Sequence, residues 1–317
     1  MISNCLVDLQ DLEESTETNE TRLPQIEKAK KDVARLTVLY YDLVPRSEMR
    51  NSIPKPINEA DELKVEFDLI ECLLGYQLSA SLFYGASKRL SEVNPMDYIF
   101  ECLEIRLVNI DTSSEEFKTI TDYIRKSHEG AKVVSLFLLQ RKGEAEKISQ
   151  WKNAGNNQLL FYGAPLTRVL SYLSAGLEVP DLSIPEFMYP FGRGLYFKDA
   201  FSAEVEKCDD VIQTPGHSKY MFMSEVALGK SKEMKTAEVV SDLPNSEFQS
   251  VLGAGALHPN PDEMLVLNNG VQIPIGEPIR GFSGFSRRRR CGILPYNEHV
   301  VYDSTQVRMR YLVQFKQ

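Results

Sequence analysis

The chain has 317 residues, 43% of them hydrophobic, and sets 36 basic against 45 acidic side chains for a formal charge of −9. This is enough apolar material for two domains with buried cores, and the acidic balance excludes a surface given over as a whole to nucleic acid phosphates. No stretch approaches the roughly eighteen apolar residues of a membrane span, and no basic start leads into a long apolar run, so an intracellular protein off the membrane is expected. The five cysteines, Cys5, Cys72, Cys102, Cys208 and Cys291, are odd in number, far apart and without a C-x-x-C pair. The four histidines, His128, His217, His258 and His299, show no ligand spacing, and most of them read as surface or loop residues. Neither a structural metal nor a disulfide framework is expected.

Residues 1–21 are rich in Asp, Glu, Thr and Asn with little apolar periodicity, and read as a disordered leader. Over 22–93 the apolar residues fall at helical spacing, Ile26, Ala29, Val33, Leu36, Leu39 and Tyr40 in one stretch and Leu63, Phe67, Ile70, Leu74 and Leu78 in another. Pro45 and Pro54-Lys55-Pro56 separate the two, which predicts a small α-helical bundle. After Asn94-Pro95, over 94–317, short β-type runs take over: Cys102 to Ile110, Val133 to Leu139, Leu159 to Tyr162, Met221 to Leu228 and Glu298 to Tyr302. Helical segments at Glu115 to Lys126 and Pro165 to Leu173 lie between them. The fold class is therefore α+β, an N-terminal helical bundle followed by a mixed α/β domain.

Four stretches of the second domain carry a more specific signal. They are Leu160-Phe161-Tyr162-Gly163, Phe191-Gly192-Arg193-Gly194-Leu195-Tyr196-Phe197, Ser224-Glu225-Val226-Ala227-Leu228-Gly229 and Tyr296-Asn297-Glu298-His299-Val300-Val301-Tyr302-Asp303. In this order and spacing they resemble the ADP-ribosyltransferase domain of the poly(ADP-ribose) polymerase (PARP) family, and the helical segment before them resembles that family's regulatory helical domain, with Asn58-Glu59-Ala60-Asp61 between helices. The resemblance implies antiparallel β-sheets in the second domain, NAD+ as substrate, protein acceptors, a helical bundle that gates the cleft, and residence in the nucleus rather than the cytoplasm.

Breaking the bond between nicotinamide and ribose develops positive charge on the sugar, which a nearby carboxylate stabilises. The resemblance puts Glu298 in that role, Gly163 on the nicotinamide amide through its backbone, and Tyr196 stacked on the nicotinamide ring. Tyr189 matches a pocket tyrosine, and Ser202, Glu204 and Lys207 fall in the cofactor segment. A solvent-facing Glu at a strand start and a core aromatic are the plain alternatives for Glu298 and Tyr196. Five positions depart from the family. Tyr162 stands where a histidine bonds the adenosine ribose, giving a Tyr-Tyr-Glu triad with Tyr196 and Glu298. Ala164 replaces a serine, and Glu178 falls where an arginine grips the adenosine side. Glu204 stands where a serine bonds the nicotinamide amide, and Lys207 where a second tyrosine stacks. Five polar or stacking losses on one ligand, at about 1 to 3 kcal/mol each, would lower affinity by orders of magnitude.

Arg287, Arg288, Arg289 and Arg290 form a run before the Glu298 strand. Such a run is commonly a solvated loop; the alternative is a docking site for an acidic protein, a nucleic acid or an ADP-ribose chain through bidentate phosphate contacts, or a nuclear signal. Two functions are thus in competition. One is an ADP-ribosyltransferase with a degraded donor site and weak or absent activity. The other is an inactive PARP-like pseudoenzyme that keeps the fold as an interaction module.

Overall fold

The computed structural model describes residues 2–14, 19–45, 55–89, 93–181, 184, 186, 189–209, 217–240, 247–281 and 294–316. The chain forms two compact units, Met1–Glu71 with Asp181–Met188, and Cys72–Pro180 with Tyr189–Gln317. The first unit holds α1 (Ile2–Glu14), α2 (Asn19–Leu43) and the start of α3 (Ala60–Lys88). Its core joins Leu6 of α1, Val33 of α2, Ile57 and Leu63. The segment expected to be a disordered leader is therefore helical where it is described. Ile2, Leu6 and Leu9 recur at i, i+4 and i+7, and the stripe they form has an apolar neighbour to pack on. Buried Glu66 accepts hydrogen bonds from the Tyr40 and Tyr41 hydroxyls at 2.8 and 2.9 Å.

The division falls at Cys72, within α3, where a boundary at 93/94 was expected. The reason lies in the second unit. Cys72 and Gly75 pack on Thr167, and Ala86 is buried with Ile99 and Leu103 of α4 (Pro95–Leu103). Helix α4 also corrects the expected β-run at Cys102. Asn94 accepts the Met96 N–H at 2.9 Å, and Pro95 suits a first turn that needs no donor. The chain leaves the helix at Glu104, in the left-handed region at φ 49°, and β1 (Ile105–Asn109) follows.

Chain order then runs α5 (Glu115–Ser127), β2 (Lys132–Arg141), α6 (Glu144–Ser149), β3 (Asn157–Gly163), α7 (Leu166–Ala175), β4 (Leu195–Phe197), β5 (Lys219–Ala227), β6 (Ser231–Met234), β7 (Ser250–Gly253), β8 (Gly255–Pro259), β9 (Leu265–Val266), β10 (Gln272–Ile273), β11 (Pro278–Arg280), β12 (Leu294–Tyr296), β13 (Glu298–Val301) and β14 (Val307–Lys316). Helix α5 is well specified locally: Ser114 caps the Phe117 N–H, Glu115 and Glu116 open it, and Arg125 and Lys126 close it, in accord with the helix dipole.

A seven-stranded sheet runs β1-β2-β14-β5-β3-β10-β9, antiparallel except between β3 and β10. Side chains alternate across it. Leu159, Phe161, Met221, Met223, Val313 and Phe315 face a core with Ile120, Tyr123 and Ile124 of α5, whereas Leu160, Phe222 and Leu312 face Val169, Tyr172 and Leu173 of α7. Coverage of both faces explains why β5 carries apolar residues at consecutive positions, Tyr220 to Met223. Two smaller sheets, β4-β13-β7-β6 and β11-β8-β12, complete the unit. The α+β class with antiparallel-dominated sheets is as expected.

Candidate functional site

The site is assembled where β3 meets β4. Phe161 and Lys198 exchange backbone hydrogen bonds at 2.8 and 3.1 Å in an isolated antiparallel bridge, which brings the end of the large sheet to the edge of the four-stranded one. Beyond this bridge lies Gly163 on one side, and on the other Tyr196 in β4, paired with Val300 of β13. The same antiparallel register, His299 opposite Phe197, sets Lys198 across from Glu298. Their side chains meet, Lys198 Nζ donating to Glu298 Oε1 at 2.5 Å, with only 8 and 15% of the two side chains exposed. Glu298 Oε2 is buried and makes no hydrogen bond among the described residues.

Tyr196 is fixed through its hydroxyl, which donates to the Gly192 carbonyl at 2.7 Å and accepts the Phe191 N–H at 2.9 Å. Its ring stacks on Tyr189 at a centroid distance of 5.9 Å and 25° between planes. Burial pushes its phenol far above the usual range, so it stays protonated.

Glu204 is fully buried. Its Oε2 accepts the Gly163 N–H at 2.8 Å, and its Oε1 accepts from Lys207 Nζ at 2.7 Å. A Cβ added to Gly163 would meet the Glu204 carbonyl oxygen at 2.3 Å and the Lys207 Cβ at 3.0 Å, so the backbone here tolerates only glycine. Burial pushes the Glu204 carboxyl above its ordinary range, by more than Lys207 and the Gly163 N–H draw it down. The 3-10 turns Phe201–Ala203 and Glu206–Cys208 present this pair to Gly163.

Of the expected site residues, Gly163, Glu204 and Lys207 form one cluster, and Glu298 is joined to the β4 strand of Tyr196 through Lys198. Tyr162 lies near enough to Lys207 to act on it electrostatically; its hydroxyl is 3.3 Å from that of Tyr172, and its ring packs edge-on against Tyr172 and beside Phe197. Ser202 lines a cavity of about 140 Å³ with Tyr123, Ser127, Asp199, His258 and Tyr296, a group containing none of the other expected site residues. Ala164 is buried and Glu178 exposed. Cys208 is buried, its thiol pushed up to about 12; Cys291 and Arg287 to Arg290 lie outside the described residues.

Sequence reasoning missed Lys198 and the group beside it. Asn297 donates to Asp199 Oδ2 at 2.7 Å and accepts the Gly255 N–H at 2.9 Å, while buried His299 sits 3.3 Å from the same carboxylate. His299 is thus no surface histidine. The available signal was placement: a lysine and an aspartate directly after the buried Leu195-Tyr196-Phe197 strand need partners, and the Asn297-Glu298-His299 strand supplies them. Among the described residues no group of three or more His, Cys, Asp or Glu is placed to hold a metal ion, and no helix is long and apolar enough to cross a membrane.

Two sheets joined at the Phe161–Lys198 bridge, with a tyrosine and a glutamate on neighbouring strands, define a domain of the ADP-ribosyltransferase type. Residues 114–317 match the family profile described as the poly(ADP-ribose) polymerase catalytic domain. The chain is similar to a poly [ADP-ribose] polymerase of Sarcophaga peregrina, 31% identical over 282 residues, covering 86% of this chain and 27% of that protein. It is likewise 30% identical over 283 residues to poly [ADP-ribose] polymerase 1 of Gallus gallus, covering 87% of this chain and 27% of the relative. With poly [ADP-ribose] polymerase 2 of Arabidopsis thaliana it shares 32% identity over 269 residues, 82% of this chain and 40% of that protein. The chain belongs to the PARP family, and the matches span less than half the length of these relatives.

Proposed function

We propose that this chain is an ADP-ribosyltransferase-family protein whose donor pocket is closed by its own side chains. Transfer of ADP-ribose from NAD+ to protein acceptors is then weak or absent, and the fold serves as an interaction module. The observation that carries this reading is the hydrogen bond from the Gly163 N–H to Glu204 Oε2. By family likeness this N–H should receive the nicotinamide amide. A carboxylate is a stronger acceptor than a neutral carbonyl, and here it is buried and also held by Lys207. To displace it, a ligand would have to break both contacts and leave a buried charge without partners. The Lys198–Glu298 pair supports the same reading. A carboxylate already neutralised by an ammonium has less to offer a positively charged transition state.

Two observations favour the alternative of a working transferase: Tyr196 is held by two hydrogen bonds, and among the described residues one Glu298 carboxylate oxygen makes none. Protein acceptors are carried over from the family for a working transferase, and nuclear residence in either case, with Arg287 to Arg290 the candidate docking site for an acidic partner. Calorimetric titration with a non-hydrolysable NAD+ analogue separates the two. We expect no binding by the chain as it stands, and binding by the double variant Glu204→Ser with Lys207→Tyr. Micromolar binding by the unaltered chain would refute the closed pocket.

A further inference from the structure

Helix α3 has two faces over its C-terminal half. One is used: Cys72 and Gly75 lie against Thr167, Gly85 against the Tyr98 ring, and Ala86 is buried. The other carries Leu73, Tyr76, Phe83 and Tyr84, which are 48, 51, 61 and 64% exposed, with exposed Ala80 at their centre. Leu73, Tyr76, Ala80, Phe83 and Ser87 follow each other at steps of three and four. That is the spacing of a seam that packs against a second helix, and it is not the scatter of single apolar residues normal on a surface.

Charge narrows the partner. From Cys72 to Ser87 there is no Asp, Glu, Lys, Arg or His, so this stripe can approach its own copy without like charges meeting, although the chain as a whole carries −9. The run is acidic before it, at Asp68 and Glu71, and basic after it, at Lys88 and Arg89; Lys88 lies over the Tyr84 ring at 5.1 Å. Two copies running antiparallel set the acidic end of one beside the basic end of the other, whereas parallel pairing would set like against like. The stripe is also symmetric in sequence about Ala80, with Tyr76 four residues before it and Tyr84 four after. A two-fold axis at Ala80 would place each Tyr76 against the other copy's Tyr84, with the smallest side chain where the backbones come nearest. We propose that the exposed stripe of α3 is a homodimer interface, formed antiparallel about a two-fold axis at Ala80.

The test is sedimentation of the full chain across a range of concentrations, beside Ala80→Glu and Ser81→Glu. The chain should pass from monomer to dimer with rising concentration. Ala80→Glu, which would set two carboxylates together on the axis, should weaken association by at least about tenfold, and Ser81→Glu, one position round the helix, should leave it within about threefold. Both positions are exposed, so thermal melts followed by circular dichroism at concentrations where the chain is monomeric should not move. As a second readout, Ala80→Cys should cross-link to its own copy on mild oxidation and Ser81→Cys should not. A chain that stays monomeric throughout, an Ala80→Glu variant that dimerises as before, or cross-linking equal at both positions would overturn the proposal.

Discussion

Glu204 shows how one side chain can be costly and useful at once. Its carboxyl is buried, and that burial raises its pKa in the fold above the ordinary glutamate value although Lys207 and the Gly163 N–H oppose the rise. Stability from this group is therefore full below the ordinary glutamate range and is lost as pH rises through the raised folded value. Glu204→Gln, which keeps an acceptor for the Gly163 N–H without the charge, should equal or exceed the native chain in stability at neutral pH, and should lose that advantage on acidification. Glu204→Ala should cost about 1 to 3 kcal/mol by leaving the Gly163 N–H unpaired. Denaturant melts of the three chains at neutral and acid pH would show both trends. Lys198 and Glu298 obey the related rule for buried pairs. Lys198→Met alone should cost about 3 to 5 kcal/mol, because it strands the carboxylate, and adding Glu298→Gln should recover most of that loss in a double-mutant cycle.

At the scale of elements, short strands are held in place by close backbone approach. Gly255 opens β8 beside β12, and a Cβ there would meet the Tyr296 carbonyl carbon at 2.1 Å and the Asn297 nitrogen at 2.4 Å. Neither is a flexible tip that could swing aside. Gly255→Ala should therefore destabilise by more than about 2 kcal/mol and disturb the Asn297–Asp199 hydrogen bond beside Glu298, read as a lowered melting temperature with shifted Asn297 side-chain amide resonances. A different device ties α6 to the large sheet. Buried Glu144 bonds Arg141 at 2.7 Å and accepts the Met309 N–H at 3.0 Å, while Arg141 donates to the Leu173 carbonyl at the end of α7. Glu144→Ala should cost about 3 to 5 kcal/mol in chemical unfolding, since it leaves a largely buried guanidinium without its carboxylate.

For the whole molecule, the place where the second unit begins has a measurable consequence. Ala86 shares a core with Ile99 and Leu103, and Cys72 and Gly75 lie on Thr167. A chain starting at Cys72 should keep this packing, and one starting at Asn94 should lose it. The shorter chain should be less stable by about 2 to 4 kcal/mol, the scale of re-exposing one or two large aliphatic side chains. Equal denaturant midpoints for the two would show that the C-terminal half of α3 contributes nothing to that unit.

The sequence by itself determined the α+β class, five strands and two helices of the second unit to within a few residues, and the stretches that identify the family, but neither helix α4 nor the central strand β14. Those features rest on local periodicity and on short motifs that read the same in any context. It left three things to the tertiary structure. Helix α1 was hidden because Ile2 and Leu6 form a stripe only when Val33, Ile57 and Leu63 are there to cover it. The occupant of the Gly163 N–H was hidden because Glu204 lies 41 residues along the chain. Lys198 drew no notice because its partner, Glu298, is 100 residues away and arrives only through strand register. Burial and pairing are properties of what the rest of the chain brings alongside, and a carboxylate that stands alone in its motif becomes half of an ion pair once a distant ammonium is folded against it.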